Sequence, residues 1–115
     1  MRKVLTLIGT RPELIKMSRV IAELDVATRH VLVHSGQNFD FELNEVFFRD
    51  LGVRKPDHFL SAAGATPIET VANVLTRLDV ILEQERPEAM LLYGDTNTTL
   101  GVIAAKRRKI PVFHM

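Results

Sequence analysis

Three short apolar runs, each closed by glycine or Ser-Gly, punctuate the chain. Val4 to Ile8 stops at Gly9, His30 to His34 stops at Ser35-Gly36, and Ala89 to Tyr93 stops at Gly94. Runs this short, apolar without alternation, read as strands buried on both faces of a sheet. Stripes at helical spacing lie between them. Leu14, Met17, Ile21 and Leu24 recur through residue 24, and Ile68, Val71, Leu75, Leu78 and Leu82 form a second stripe that Pro87 ends. Strand and helix alternate with little else between them, so the pattern predicts an α/β fold: parallel βαβ units in a doubly wound sheet.

Local signals sharpen the boundaries. Thr10 offers a hydroxyl cap, with Glu13 at capping-box spacing. Thr66-Pro67-Ile68-Glu69 is the clearest helix start: a cap, a proline in the first turn, and a glutamate at the third helical position. Phe41 to Leu51 carries apolar residues at helical spacing, and Gly52 sits where that helix stops. Thr98 to Lys109 reads as a shorter helix, and Val112-Phe113 begin another strand. The 115 residues suit one domain, without linker or internal repeat. The chain stops at an apolar strand with no closing helix, which predicts a piece of something longer.

Composition removes several classes of function. Lys+Arg 15 against Asp+Glu 14 leaves a net charge of +1, so no global field draws in nucleic acid or anionic lipid. Cys is 0, which excludes disulfides and thiolate chemistry. No apolar run approaches the ~20 residues of a membrane span. The N-terminal run meets Gly9-Thr10-Arg11-Pro12 with no small-residue cleavage site, as a core strand does and a signal peptide does not. A soluble, cytoplasmic protein is expected. The histidines show no metal-ligand spacing, so no metal site is predicted. His34 and His114 follow strands and read as packed or solvated, and His30 and His58 read as surface residues. The basic run Lys106-Arg107-Arg108-Lys109 closes a helix, where cations complement the dipole, rather than marking a nucleic-acid surface.

Ligands of open α/β sheets bind outside the carboxyl ends of the strands. Three segments land there. Gly9 to Glu13 joins a glycine turn, a helix N-terminus and Arg11, with Lys16 one turn on. Backbone N–H groups, helix dipole and two cations can hold a phosphate. A capped helix with two solvated bases explains the segment about equally well. It is neither GxGxxG nor a P-loop, so ordinary NAD binding and P-loop NTPase chemistry lose support. Gly94 to Thr99 places Asp95 just after a strand, where a carboxylate acts as a general base or holds a sugar hydroxyl; on spacing alone, a helix cap is the better reading. Ser35 to Asn38 offers Gln37 and Asn38 as neutral hydrogen-bonding groups, though turn chemistry accounts for them too.

At these segments the sequence resembles the non-hydrolysing UDP-N-acetylglucosamine 2-epimerase family. The matches are GTRPELIKM (Gly9 to Met17), SGQN (Ser35 to Asn38), YGDTNTTL (Tyr93 to Leu100) and IPVFHM (Ile110 to Met115), in family order and spacing over essentially the whole chain. GTRPE with GDT far downstream is a specific combination. The stretch Gly36 to Gly52 looks like the branch that forms UDP-N-acetyl-L-fucosamine for capsule or O-antigen synthesis.

The resemblance implies two Rossmann-like domains with the active site between them, as in GT-B glycosyltransferases. Residues 1–115 correspond to the N-terminal domain less its end. The second domain, which grips the UDP, and further acidic and histidine groups are expected beyond it, so the fragment alone is expected to be inactive. The implied reaction eliminates UDP to a glycal and adds it back with inverted C2, without a cofactor. Arg11 and Lys16 would contact the nucleotide-sugar at its diphosphate, Gln37 would bind substrate, and Asp95 would belong to the acid/base and sugar-binding set. The full-length protein is expected to be a homodimer.

One departure bears on the branch. Members activated by UDP-GlcNAc carry GQH or AQH and an Arg in the third helix. Here those places hold Gln37-Asn38-Phe39 and Asn73, which favours the fucosamine branch over effector activation. The alternatives are a UDP-GlcNAc/UDP-ManNAc 2-epimerase, a GT-B glycosyltransferase, and a non-catalytic nucleotide-binding or receiver-like module. A receiver needs a cluster of acidic residues at strand ends, and Asp95 stands alone.

Overall fold

A computed structural model describes residues 1–9, 11–36, 52, 54–93 and 100–115, with Arg11 and Pro12 described by backbone alone. The predicted helix over Phe41 to Leu51 lies outside the described residues, as do Gln37 and Asp95.

The elements are β1 (Lys3–Ile8), α1 (Arg11–Ala27), β2 (Arg29–His34), β3 (His58–Phe59), α2 (Pro67–Glu85), β4 (Ala89–Leu92), α3 (Val102–Arg107) and β5 (Val112–His114). The strands form one sheet in the order β3-β2-β1-β4-β5, and every pairing is parallel. The doubly wound expectation is met. β1 is central, with Leu5 set against Val31 of β2 on one side and Met90 of β4 on the other. Its alternating side chains divide the core. Leu5 and Leu7 join Val31, Val33, Met90 and Leu92 under α2 and α3, while Ile8 joins Leu32 under Leu14, Met17 and Ile21 of α1. Both faces are therefore covered by helices, as a parallel sheet requires.

The start of α2 follows the sequence reading. Thr66 Oγ1 accepts from the Glu69 N–H at 3.1 Å, and Pro67 occupies the first turn. The helix ends at Glu85, two residues before Pro87, through Arg86 in the left-handed region with φ +46°. Its predicted stripe needs correcting. The buried residues are Thr70, Val74, Leu78 and Leu82, whereas Ile68 is 78% exposed. Ile68 sits in the first turn, where it misses the sheet, and the line of contact runs at i, i+4 from Thr70.

The predicted helix from Thr98 to Lys109 is also shorter. Leu100-Gly101 form a 3₁₀ turn, the α-helix covers Val102–Arg107, and Lys109 takes φ +59°. Its start lies tight against the sheet, since a Cβ on Gly101 would fall 2.8 Å from Leu78 and 2.9 Å from Leu7. Arg108 of the basic run is engaged by Asp79 and Glu83 of α2 rather than left in solvent. The two-residue β3 was not anticipated, because so short a strand carries no pattern of its own.

His30 and His58 are not the surface residues expected. The His30 side chain is 1% exposed; its Nδ1 lies 2.7 Å from Asp25 and its Nε2 2.7 Å from the Thr6 hydroxyl. It ties the end of α1 to the sheet, because the β2 register points it to the α1 face beside buried Thr6. Arg54 bridges Asp25 and the His30 carbonyl, fastening the segment before β3. His58 bonds Glu85 at 2.6 Å, and Lys3 joins the same carboxylate at 2.9 Å.

Burial holds the His30 imidazole below its ordinary pKa of 6.5, against the pull of Asp25. The unfolded chain takes up this proton near pH 6.5, and the folded chain only at lower pH. Stability should therefore fall as pH drops below 6.5 towards the folded value. Urea midpoints at pH 7 and pH 5.5 should show this loss, and His30→Gln should flatten it. An equally steep loss in the variant would assign the effect elsewhere.

Candidate functional site

The sheet order creates a switch point. From β1 the chain crosses to β2 by way of α1 on one face, and from β4 it passes to β5 by way of α3 on the other. β1 and β4 are neighbours, so their carboxyl ends flank a crevice of the kind in which open α/β sheets bind ligands. Of the three segments expected at this edge, the second is tied to the end of β1, from which the first departs. The Ser35 N–H donates to the Ile8 carbonyl at 2.8 Å, carrying the β1–β2 pairing to its corner. The third begins where β4 ends beside β1, and its residues 94–99 lie outside the described ones.

Both corners are held by the same device, a side chain that accepts the glycine N–H. Glu13, in the first turn of α1 and 2% exposed, accepts from Gly9 at 2.8 Å through Oε1. The predicted capping box pairs Glu13 with Thr10, which lies outside the described residues; the bond seen is to Gly9, one residue further back. His34 is also 2% exposed. Its Nδ1 accepts from the Gly36 N–H at 2.9 Å, which places the imidazole proton on Nε2, and its ring stacks on Phe59 at 4.8 Å and 12°. Gly36 takes φ +64°, and a Cβ there would meet Phe59 at 2.7 Å and the Ser61 nitrogen at 2.9 Å. Glycine is required at that position on both counts.

A wall follows from β3. The amides of Leu60, Ala62 and Ala63 donate to His34, Ser35 and Gly36, continuing the pairing past the strand. α2 pins this segment from outside. Arg77 donates to the Leu60 and Ser61 carbonyls at 2.8 and 2.5 Å, Asn73 donates to the Ala62 carbonyl at 3.1 Å, and Thr70 Oγ1 accepts from Gly64 at 2.9 Å. Asn73, marked in the sequence as the replacement for an arginine, is thus committed to the backbone.

The expected site residues are placed unevenly. Arg11 is the first residue of α1 at the crevice, and its side chain is not described. Lys16 lies on the exposed side of α1, one turn along. Gln37 directly follows the Gly36 corner and Asp95 follows the end of β4; both lie outside the described residues. The Gly9 N–H, counted among the donors for phosphate, is already taken by Glu13. Sequence reasoning assigned Glu13 a capping role and left His34 as merely packed or solvated; only the parallel register shows both holding corners of one edge. Among the described residues no group of three or more His, Asp or Glu is gathered to hold a metal. A surface cleft lined by Arg86, Pro87, Arg108 and Pro111 lies at the opposite, amino edge of the sheet.

A parallel 3-2-1-4-5 sheet, with helices on both faces and a glycine corner before a helix at the switch point, defines a Rossmann-like α/β domain. The family model described as UDP-N-acetylglucosamine 2-epimerase matches residues 22–115. The chain belongs to the UDP-N-acetylglucosamine 2-epimerase family. It is similar to a UDP-N-acetylglucosamine 2-epimerase structure from Rickettsia bellii, with 56% identity and a TM-score of 0.91 over 100% of this chain and 31% of that one. The Methanocaldococcus jannaschii UDP-GlcNAc 2-epimerase in complex with UDP-GlcNAc and UDP superposes with a TM-score of 0.91 at 30% identity, over 98% of this chain and 32% of that one. A curated relative, the UDP-2,3-diacetamido-2,3-dideoxy-D-glucuronate 2-epimerase of Pseudomonas aeruginosa, is 38% identical over 98% of this chain and 33% of its own length. The chain spans about a third of the length of the relatives it matches.

The corner geometry sets a test independent of activity. Gly36→Ala should lower stability by at least about 1–2 kcal/mol, from the left-handed backbone and the overlap with Phe59. Gly52→Ala, also at positive φ (+70°) but with open space around it, should cost less. Equal losses in chemical denaturation would show that the Phe59 contact imposes nothing.

Proposed function

We propose that residues 1–115 form the N-terminal Rossmann-like domain of a two-domain, GT-B-like UDP-N-acetylhexosamine C2 epimerase, cytoplasmic and dimeric. Its reaction removes the C2 proton and breaks the C1–O bond to UDP, giving a glycal. UDP then returns to C1 while C2 is reprotonated from the opposite face. The observation that carries the reading is the 56% identity and shared fold with the Rickettsia bellii protein across this whole chain, with the family's GTRPE and GDT segments at the two strands that flank the switch point.

Arg11 then supplies a charge-assisted contact to the diphosphate at the start of α1, and Lys16 adds a point charge one turn on. Gln37, next in sequence after the second corner, binds substrate. Asp95, which follows β4 in sequence, serves as acid/base or hydroxyl-binding group. For the sugar itself we propose the N-acetyl-L-fucosamine series, in capsule or O-antigen synthesis. The Gly36–Gly52 stretch favours it, and the likeness to the diacetamido-glucuronate epimerase supports substrates beyond UDP-GlcNAc. The 56% identity to the Rickettsia bellii UDP-GlcNAc enzyme favours UDP-GlcNAc/UDP-ManNAc as the second reading.

The two-domain enzyme, given UDP-N-acetylhexosamines of each series without an acceptor, should accumulate the C2 epimer of one. Dependence on an added acceptor would point to a glycosyltransferase. Arg11→Ala should weaken substrate binding roughly ten- to a hundredfold, and Lys16→Ala less. Unchanged affinity would leave Arg11 a solvated helix-start residue. Asp95→Asn should lower kcat by ~10²–10⁴ with the fold intact, because Asn retains the capping oxygen but not the basicity. Retained turnover would return Asp95 to the role of a helix cap.

A further inference from the structure

Glu13 is the one buried carboxylate at the crevice among the described residues, and its bond to Gly9 reaches past the first turn of the helix. An exposed glutamate in a first helical turn already interacts favourably with the helix dipole. Glu13 is 2% exposed, and its Oε1 is directed to the Gly9 N–H at 2.8 Å rather than to solvent. Removing a carboxylate from water is costly unless it is hydrogen-bonded, and the Gly9 amide supplies such a bond. The bond joins the residue after β1 to the first turn of α1. It therefore fixes the direction in which the chain leaves the sheet and where α1 begins.

The same contact takes Gly9 out of the set of donors open to an anion. It is consistent with a corner whose grip on an anion comes from the Arg11 side chain rather than from the Gly9 amide. The opposite corner repeats the pattern, His34 holding Gly36 with a buried imidazole.

We infer that Glu13 is a positioning residue for the reaction proposed above: through its bond to the Gly9 amide it sets the α1 N-terminus, and so Arg11, against the diphosphate of the UDP-sugar. The role belongs to its reach, not to its charge. The inference rests on the UDP-sugar reading of this site.

Two conservative variants separate reach from charge in the two-domain enzyme. Glu13→Gln keeps the length and the accepting oxygen but loses the charge. Glu13→Asp keeps the charge but is one methylene too short to meet Gly9. With UDP-N-acetylhexosamine as substrate, Glu13→Asp should raise KM roughly tenfold with kcat changed less than threefold, and Glu13→Gln should keep KM within about threefold of the parent. A merely structural role would lower the Tm of Glu13→Asp and leave KM unmoved. That result, or a raised KM in Glu13→Gln with Glu13→Asp unaffected, would overturn the inference while leaving the epimerase reading intact. No UDP-sugar binding or turnover in the unsubstituted enzyme would overturn both.

Discussion

The double pairing of β1 is the constraint on which the rest depends. A strand hydrogen-bonded on both edges and covered on both faces has nowhere to place a polar side chain without a partner. Leu5, Leu7 and Ile8 are fully buried, and Thr6, buried among them, needs the His30 ring to satisfy its hydroxyl. Each CH₂ so buried contributes about 0.8 kcal/mol. The strand's position also fixes the switch point, since chain leaving β1 goes one way across the sheet and chain leaving β4 the other. A crevice at their carboxyl ends follows from topology, before any side chain is considered.

The two edges of the sheet are built differently. At the amino edge, charged groups satisfy one another: Glu85 takes both Lys3 and His58, with hydrogen bonds from both holding its pKa below the usual carboxylate range. Asp79 and Glu83 likewise take Arg108. These partly exposed pairs brace strand starts to helix ends and contribute little apiece. At the carboxyl edge, side chains hold the backbone instead. Glu13 and His34 fix the two glycine corners, and Asn73 and Arg77 fix the wall behind them. An edge whose backbone is set in advance asks less ordering of a ligand when it binds.

Much of the fold was legible because its signals are local. The glycine that closes each apolar run, the Thr66-Pro67 start of α2 and the helical stripe of α1 each follow from a few adjacent residues. What failed was non-local. His30 looks like a surface residue in sequence because nothing nearby reveals that register places it against Thr6 and the end of α1. Ile68 fits its stripe by spacing alone, yet the helix meets the sheet along Thr70, Val74, Leu78 and Leu82. The strand β3 exists only because β2 offers an edge to it. At the crevice, the segments Gly9 to Glu13 and Ser35-Gly36 were correctly expected at one edge, since strand ends are easily read. That Glu13 and His34 are the groups holding those corners depends on burial, which sequence spacing does not encode.

The family assignment and the switch-point geometry support the proposed chemistry at the hexose C2. Turnover of a UDP-N-acetylhexosamine by the two-domain enzyme in deuterated water, without acceptor, tests this most directly. The account predicts deuterium at C2 of the epimerised product, because the proton removed in forming the glycal is replaced from solvent. An epimer formed with its original C2 hydrogen, or a sugar released or transferred with C2 unlabelled, would contradict it.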